Sequence, residues 1–218
     1  MTDATRTVVH LIRHGEVANP TGVLYGRMPD FHLSDLGRAM AERLAEWAEE
    51  RDITHLVSSP LERARETMEP IATRTGVDVE IDDRVIEASN LFEGRVFGVG
   101  DGALRRPQVW WMLRNPMRPS WGEPYRQIAG RMHAAMADAR DEAAGHEAVI
   151  VSHQLPVWVA RLAGEGRRRF VHDPRRRQCS LASVTSFAYA GDALVSVGYT
   201  EPARDLLPPL SKKFVAGA

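Results

Sequence analysis

The chain has 218 residues, and its 28 Lys and Arg against 29 Asp and Glu give it a formal net charge of −1. This balance excludes a general binder of nucleic acid or of membrane surfaces, which needs an excess of basic residues. With 44% hydrophobic and 26% charged residues, the composition is typical of a globular protein and excludes collagen, coiled coils and disordered tails.

The cysteine content and the first residues indicate the cellular compartment. The single cysteine, Cys179, cannot form an internal disulfide or a multi-thiolate metal site, and we expect it to be a small buried hydrophobic residue. The start, MTDATRTVVHLIRHGE, has no long apolar stretch after a basic region, and no run approaches the ~20 apolar residues that span a bilayer. We therefore expect a cytoplasmic protein without a signal peptide.

The first half of the chain alternates predicted strands and helices. Its elements are a strand over Thr7–Ile12, a helix from Ser34 to about Arg51, a strand over Ile53–Ser58, a helix from Pro60 to about Thr73 and an edge strand over Val77–Ile81. Thr7–Ile12 is short, apolar and β-branched, as buried strands are. Ser34 is a favourable N-cap, and apolar residues at helical spacing follow it.

The second half is predicted to close the same sheet. Its elements are a helix from about Glu123 to Ala143, a strand over Ala148–Val151, and a pair of strands over Ser183–Tyr189 and Leu194–Tyr199. Residues 88–120 are rich in Gly, Pro, Trp and Arg and give no assignment. The Pro-rich tail from about residue 201 is expected to lie over the surface.

This alternation predicts an α/β fold, a three-layer αβα sandwich with a mostly parallel central sheet. The sequence contains no internal repeat, no low-complexity segment and no convincing linker. We therefore expect a single domain over residues 1–218.

Polar groups follow three of the predicted strands directly. They are Arg13-His14, Ser58-Ser59 leading to Arg63, and Ser152-His153. The carboxyl ends of parallel strands form the edge of a sheet where ligands bind. Arginine binds phosphate oxygens bidentately, and histidine can attack phosphorus or donate hydrogen bonds. Together these groups predict a phosphoryl-binding pocket with fixed positive charge and two imidazoles.

The residue patterns of these segments are more specific than their positions at the ends of predicted strands. LIRHGE (11–16), SSPLERARET (58–67) and VSHQLP (151–156) resemble, in this order, the signature segments of the histidine phosphatase superfamily, also called phosphoglycerate-mutase-like. The resemblance extends from about residue 7 to about residue 189. It implies a phosphoglycerate-mutase-like fold and phosphoryl transfer through a phosphorylated histidine.

The resemblance also implies a role for individual residues. His14 would be the nucleophile, Arg13 and Arg63 would hold the phosphoryl oxygens, and His153 would complete their pocket. Glu87 would protonate the leaving oxygen. The remaining residues expected to contact the substrate or lie beside the pocket are Asn19, Tyr25, Gly26 and Gln154.

The chain departs from the family pattern at two places. After Glu87 the run to Gly94 is one residue shorter than usual and lacks its first glycine, which makes Glu93 a competing general acid. Gln154 stands where the family commonly has glycine, so its side chain is expected to narrow the pocket or contact substrate.

We expect a metal-independent phosphatase that hydrolyses a small phosphorylated substrate, with no cofactor and with neither nucleic acid nor membrane as partner. A homodimer is left open. The alternatives are a phosphoglycerate-type mutase and a phosphate-binding protein without turnover. Hydrolysis is preferred because the segment after Glu87 lacks the lysine-bearing insertion typical of the mutases.

Three further features have competing interpretations. The seven arginines from Arg161 to Arg177 have three interpretations: a site that binds a polyanion, a solvated face of the protein, or a stretch in which one or two arginines belong to the rim of the pocket. The resemblance implies that the segment of about residues 88–121 forms a cap over the site. Its tryptophans are expected either to line a pocket for the substrate or to pack against other residues of the protein; they are Trp110, Trp111 and Trp121. The other histidines show no metal-site spacing and are treated as ordinary residues; they are His10, His55, His133, His146 and His172.

Overall fold

A computed structural model describes residues 6–95, 122–167 and 177–207 of the chain. Its strands are β1 (Arg6–Arg13), β2 (Ile53–Ser58), β3 (Val79–Ile81), β4 (Glu147–Ser152), β5 (Val184–Ala190) and β6 (Ala193–Thr200). Its α-helices are α1 (Asp35–Glu49), α2 (Glu62–Thr75), α3 (Tyr125–Glu142) and α4 (Gln154–Gly164). Short 3₁₀ turns cover Asp83–Val85 and Arg204–Leu206.

The six strands form one sheet in the order β3-β2-β4-β1-β5-β6. The first four are parallel to one another, while β5 runs antiparallel to both β1 and β6. The predicted α/β fold with a mostly parallel sheet is therefore confirmed. Because β1, β2 and β4 are parallel neighbours, their carboxyl ends meet at one edge.

Helices cover both faces of this sheet, as the alternation of its strand residues requires. On one face, α3 and α4 pack on Ile150 and its neighbours in β1 and β5. On the other face, α1 and α2 pack on Val149 and Val151. An apolar interface thus lies on each side of the sheet, between it and the helices. The ends of the strands lie outside these interfaces, so they can have polar residues.

The structure differs from the predicted elements mainly after β4. Helix α4 begins at Gln154, directly behind His153, where the sequence analysis assigned no element. Helix α1 begins as predicted, because the Ser34 hydroxyl accepts a hydrogen bond from the Gly37 amide at 2.9 Å. The start of the predicted tail is ordered against α1, since Ala203 is buried there with the hydrophobic residues of that face. Among the described residues, no helix is long and apolar enough to cross a membrane.

Candidate active site

Three strand ends bring the predicted polar groups together. In the sheet register Arg13 lies beside Ser152, and Ser58 lies beside Val151. The ladder continues one residue further, because the His14 amide donates to the Ser152 carbonyl at 3.1 Å. His14 and His153 consequently lie side by side, with their ring centroids 5.2 Å apart.

The His14 imidazole is buried and held in one tautomer. Its Nδ1–H donates to the carbonyl of Gly15 at 2.7 Å. Burial, and then the charges of Arg63 and Arg13, hold the pKa of His14 well below its ordinary value. The ring is therefore neutral near pH 7, and the lone pair is on Nε2.

Two buried guanidinium groups flank these histidines. Arg13 is 4% exposed and Arg63 is fully buried. Arg13 donates from Nη1 to the Cys179 carbonyl at 2.8 Å, and Arg63 donates from Nη2 to the Gly26 carbonyl at 2.5 Å. Within the described part of the chain, Nε of Arg13 and both Nε and Nη1 of Arg63 have no hydrogen-bond partner. Such buried donors are costly to leave unpaired, and they suit an anionic ligand.

The second imidazole also offers a donor. His153 Nε2 lies 2.7 Å from the Ser59 hydroxyl, which itself accepts from the Leu61 amide at 3.4 Å. When the hydroxyl donates its hydrogen to Nε2, the ring proton is on Nδ1. His153 Nδ1 is buried and, among the residues that the structure describes, has no partner. Burial and then His14 and the nearby arginines lower the pKa of His153 well below its ordinary value.

The loop after β1 is fixed by close backbone packing. A Cβ atom on Gly15 would lie 2.6 Å from the Gly37 carbonyl oxygen, so a side chain there would displace the start of α1. The Thr67 hydroxyl accepts from the Gly15 amide at 3.1 Å and donates to the Arg63 carbonyl at 2.7 Å. Helix α2 therefore carries Arg63 and, one turn later, the residue that anchors the His14 loop.

Glu87 lies in the field of the same arginines. Its Oε1 accepts from the Ala88 amide at 2.8 Å. Burial of the carboxyl group raises the pKa of Glu87, although that amide and the charges of Arg63, Arg13 and Arg177 act in the opposite direction. A carboxyl group with a raised pKa can hold a proton and donate it.

A network of charged side chains holds the backbone of Glu87. Arg27 donates from Nε to the Glu87 carbonyl at 2.6 Å and from Nη2 to buried Glu123 at 3.1 Å. Glu123 also accepts from Arg131 at 2.9 Å, and Arg131 donates to the Arg84 carbonyl at 2.5 Å. Arg131 lies in α3, and Glu123 lies two residues before its start, so this part of the chain fixes the segment that carries Glu87.

The competing carboxylate, Glu93, is placed differently. It accepts from the Asn90 amide at 3.2 Å and packs against Gly26, where a Cβ atom would lie 2.3 Å from its Oε1. Burial lowers the pKa of Arg63, and among the carboxylates that oppose this effect Glu87 acts more strongly than Glu93. Of these two carboxylates, Glu87 therefore interacts more strongly with the charge of Arg63.

The remaining predicted residues have distinct surroundings. The Tyr25 ring lies under the Arg63 guanidinium, 4.8 Å from its Cζ, with its centroid 6.4 Å from that of His14. The Asn19 amide is engaged within its own loop, where it bonds both backbone groups of Val23, so a phosphate contact from Asn19 stays a prediction. Gln154 accepts from Arg177 at 3.0 Å.

The arginine-rich stretch divides between surface and site. Arg161 pairs with Glu165 at 2.9 Å and covers Tyr199, while exposed Arg167 approaches the same carboxylate at 3.4 Å. Arg177 donates to Gln154, the residue after His153, and its charge acts on the Glu87 carboxyl group; the sequence analysis assigned it no specific role. Four of the seven arginines and the three tryptophans of the cap segment lie outside the described residues; they are Arg168, Arg169, Arg175, Arg176, Trp110, Trp111 and Trp121.

A cavity of about 410 Å³ opens at the opposite edge of the sheet, near the amino ends of the parallel strands. It is bordered by His10, His146 and Glu147, and its histidines are already bonded to carboxylates. Within residues 6–95, 122–167 and 177–207, no group of three or more His, Cys, Asp and Glu side chains is arranged to hold a metal ion. As expected from the sequence, Cys179 is a buried free cysteine.

Comparison with known proteins identifies the family. The model of the histidine phosphatase superfamily (branch 1) matches residues 9–202. "Uncharacterized protein Rv0525" from Mycobacterium tuberculosis is 59% identical over 197 residues, which cover 90% of this chain and 97% of that protein. "Probable phosphoglycerate mutase GpmB" from Shigella boydii is 30% identical over 194 residues, covering 81% of this chain and 83% of its own.

A solved structure shows the same fold. Mycobacterial glucosyl-3-phosphoglycerate phosphatase Rv2419c superposes with a TM-score of 0.69 at 23% identity, over 84% of this chain and 90% of that one. The similarity at this level concerns the fold alone, whereas the family model covers most of the chain. The chain therefore belongs to branch 1 of the histidine phosphatase superfamily.

Proposed function

We propose that this protein is a phosphatase that hydrolyses a phosphomonoester through a phosphohistidine on Nε2 of His14. The observation that carries the proposal is the tautomer of His14. Its Nδ1–H is committed to the Gly15 carbonyl, so the lone pair of a neutral imidazole is on Nε2. The Arg13 and Arg63 donors that have no partner among the described residues belong to the same pocket. A neutral, buried imidazole next to fixed cations is suited to attack on a phosphoryl group.

The cationic groups are matched to the transition state. A transferring phosphoryl group carries negative charge on its equatorial oxygens, and preorganised donors that point at these oxygens lower the barrier. Arg13 and Arg63 supply two positive charges, and His153 supplies the Nδ1–H. These residues meet the charge of the phosphoryl group, so our mechanism assigns no step to a metal ion.

The first step transfers the phosphoryl group to the enzyme. The His14 Nε2 lone pair forms a bond to phosphorus while the ester P–O bond breaks, and the leaving alkoxide takes the proton of Glu87. The raised pKa of Glu87, caused by burial, favours the protonated carboxyl group that this step needs.

The second step releases phosphate. The Glu87 carboxylate accepts a proton from water, the water oxygen attacks phosphorus, and the N–P bond breaks so that its electron pair returns to Nε2. Glu87 then carries the proton again, which restores the starting state. The contacts of Arg27 and Glu123 keep the Glu87 segment in place through both steps.

A phosphoglycerate-type mutase is the second candidate. The relative from Shigella boydii, 30% identical to this chain, is named a probable phosphoglycerate mutase. The first step would be the same, but the phosphoryl group would return to an organic hydroxyl instead of water. The relatives named above also suggest substrates, because phosphoglycerate occurs in the names of both the mutase and the phosphatase.

The decisive experiment measures phosphate release from p-nitrophenyl phosphate. We expect hydrolysis by the wild type and a loss of at least about 10³-fold in His14→Ala, because the nucleophile is absent. His133→Ala is the matched control, since it makes the same substitution on the exposed face of α3 and should retain activity. Alkaline quenching after mixing should trap an acid-labile phosphoryl group on the wild type and none on His14→Ala.

The fate of the phosphoryl group distinguishes the two candidates. Conversion of 3-phosphoglycerate to 2-phosphoglycerate with a bisphosphoglycerate primer, faster than release of phosphate, would replace the phosphatase proposal by the mutase. Absence of turnover with every phosphomonoester, together with His14-independent phosphate binding, would indicate a binding protein instead.

A further inference from the structure

A short loop before β5, residues 178–183, holds Arg13 at both its backbone and its side chain. The Arg13 amide donates to the Ser183 carbonyl at 3.1 Å, and Nη1 of its guanidinium donates to the Cys179 carbonyl at 2.8 Å. A backbone carbonyl has no net charge, so this contact orients the guanidinium and leaves its positive charge for the phosphoryl group. The position of the guanidinium in the pocket therefore depends on where the loop lies.

The end of β6 holds the same loop through two side chains. The Ser180 amide donates to the Tyr199 hydroxyl at 3.1 Å, and the Ser180 hydroxyl donates to Oε1 of Glu201 at 2.7 Å. The Tyr199 hydroxyl also donates to this Oε1, at 2.8 Å, so the three residues form a closed set of hydrogen bonds. Burial raises the pKa of Tyr199, so its phenol keeps the proton that it donates. Ser180 directly follows Cys179, whose carbonyl holds Arg13.

Arg161 belongs to the same arrangement. Its Nη1 donates to the Gln178 carbonyl at 3.3 Å, and its guanidinium lies over the Tyr199 ring, with Cζ 5.0 Å from the ring centroid. Glu165 accepts from Nε of Arg161 at 2.9 Å and thereby fixes the guanidinium. Side chains from outside the loop thus bond the backbone of three consecutive loop residues, 178 to 180.

The loop also contains a residue in an unfavourable backbone conformation. Ala182 is fully buried and has a φ of 52°, in the left-handed region that residues with a Cβ atom rarely adopt. Its amide donates to the His14 carbonyl at 3.4 Å. Such a conformation persists only where the surrounding contacts determine it, and it is common at functional sites. The contacts that Ser180 makes are therefore part of what keeps the loop in place against β1.

We propose that Tyr199 and Glu201 are positioning residues for Arg13. They fix Ser180, and with it the preceding carbonyl, at the place where the Arg13 guanidinium meets the phosphoryl oxygens. This inference rests on the proposed function and adds to it two residues that act through Arg13. A preorganised charge stabilises the transition state only in the correct position, so a shift of the loop lowers the rate although every catalytic group is still present.

The test removes one hydroxyl group. Tyr199→Phe leaves the Ser180 amide without this acceptor, so we expect kcat/KM for p-nitrophenyl phosphate to fall about tenfold and the inhibition constant of inorganic phosphate to rise about fivefold. Glu201→Gln retains an Oε1 acceptor and should lower kcat/KM less, about twofold. Tyr189→Phe is the matched control: it makes the same substitution in β5, where Tyr189 pairs with Thr7 at the amino end of β1, and should leave both constants unchanged.

Double variants show whether the effect passes through Arg13. In Arg13→Met, which lacks the guanidinium, Tyr199→Phe should cause no further fall in kcat/KM. In Arg63→Met it should still cause a fall of about tenfold, because Arg63 donates to the Gly26 carbonyl, outside the loop. Unfolding midpoints identify any variant that fails to fold. If Arg13→Met is one of them, Arg13→Lys takes its place, and the fall caused by Tyr199→Phe should be smaller there than in the wild type.

The outcomes separate this inference from the proposed function. Unchanged constants in Tyr199→Phe, or an equal fall with and without the Arg13 guanidinium, would overturn the positioning role and leave the phosphatase proposal intact. If the wild type does not hydrolyse p-nitrophenyl phosphate, the phosphatase proposal fails; the affinity for inorganic phosphate, measured by calorimetry on the same variants, then tests the positioning role. A wild type that does not bind inorganic phosphate would overturn both.

Discussion

Similar side chains occur at the amino ends and at the carboxyl ends of the parallel strands, but they differ in how fully they are hydrogen-bonded within the protein. Near the amino ends, buried His10 bonds Glu147 through Nε2 and Ser186 through Nδ1, both at 2.8 Å. Arg51 is 3.4 Å from the same Glu147 and stacks over Trp47. At the carboxyl ends, Arg13, Arg63 and His153 each retain a buried nitrogen that lacks a partner in the described part of the chain.

This difference separates a structural role from a chemical one. At the amino ends, His10 and Arg51 both contact the Glu147 carboxylate, so these groups stabilise the native state without a ligand. At the carboxyl ends, burial without full pairing costs stability and leaves groups ready to bind an anion. Variants at matched positions of the two edges should therefore have opposite effects on activity and stability.

The largest contrast is expected between two arginines. Arg63→Met should lower kcat/KM for p-nitrophenyl phosphate by about 10²–10³-fold, because a preorganised charge at the phosphoryl oxygens is lost. Its free energy of unfolding should stay equal or rise by about 1 kcal/mol, since Nε and Nη1, which are buried and have no partner among the described residues, are removed. Urea denaturation and steady-state kinetics on the same preparation measure both quantities.

Arg51→Met is the control for this prediction. It removes a contact with Glu147 and the stacking on Trp47, so a loss of about 1 kcal/mol in stability and unchanged activity are expected. If Arg63→Met destabilises the fold more than Arg51→Met does and remains active, the distinction between the edges is wrong.

His10 provides the complementary test for the imidazoles. His10→Ala leaves Glu147 and Ser186 without a buried partner and should lower the free energy of unfolding by about 1–3 kcal/mol. Activity should remain close to that of the wild type, because His10 lies at the other edge. His133→Ala, on the surface, should change neither quantity. A loss of activity in His10→Ala without a loss of stability would contradict this assignment.

The fold was largely predictable because its elements carry local signals. The strands before His14 and His153 are short apolar runs, and α1 has a side-chain N-cap in Ser34. Helix α4 has no such cap, since His153 makes no side-chain capping bond, and its sequence is apolar on several sides. The start signal that distinguishes a buried helix from a strand was therefore missing.

The site was predictable where its residues stand at strand ends, and not where their roles depend on distant partners. His14, Arg13 and His153 follow strands whose parallel order brings them together. The roles of Glu123 and Arg177 were not predictable in this way. Glu123 acts through Arg27, 96 residues away, and Arg177 meets Gln154 across 23 residues. Contacts of this kind arise from packing, which a residue pattern alone does not specify.

The pH dependence of stability offers a third test. Burial lowers the pKa of His14, His153 and His10, so the folded state keeps them neutral. In the unfolded chain a histidine titrates near about 6.5, so acidification below that value protonates the unfolded state first. Stability should thus be fully present above about pH 6.5 and fall on acidification toward the folded pKa values, by at most about 1.4 kcal/mol per pH unit for each histidine.

Variants can show which histidines cause this change of the free energy of unfolding with pH. His14→Asn and His153→Asn should each flatten the dependence measured by urea denaturation between about pH 5.5 and 7.5, and His10→Asn measures the contribution of the amino ends. A slope in the double variant equal to that of the wild type would show that the site histidines do not stay neutral on folding.

The smallest effect is expected at Ser59, which we infer to set the tautomer of His153. Ser59→Ala should lower kcat about three- to tenfold, because His153 Nε2 loses its hydroxyl partner and Nδ1 is no longer held as the donor. Ser59→Thr keeps the hydroxyl and should restore most of the rate. Nitrogen chemical shifts of the imidazole report the tautomer directly: the proton should be on Nδ1 in the wild type and distributed over both nitrogens in Ser59→Ala. A wild-type His153 that carries its proton on Nε2 would instead donate to Ser59, and Nδ1 would then be an acceptor unsuited to a phosphoryl oxygen.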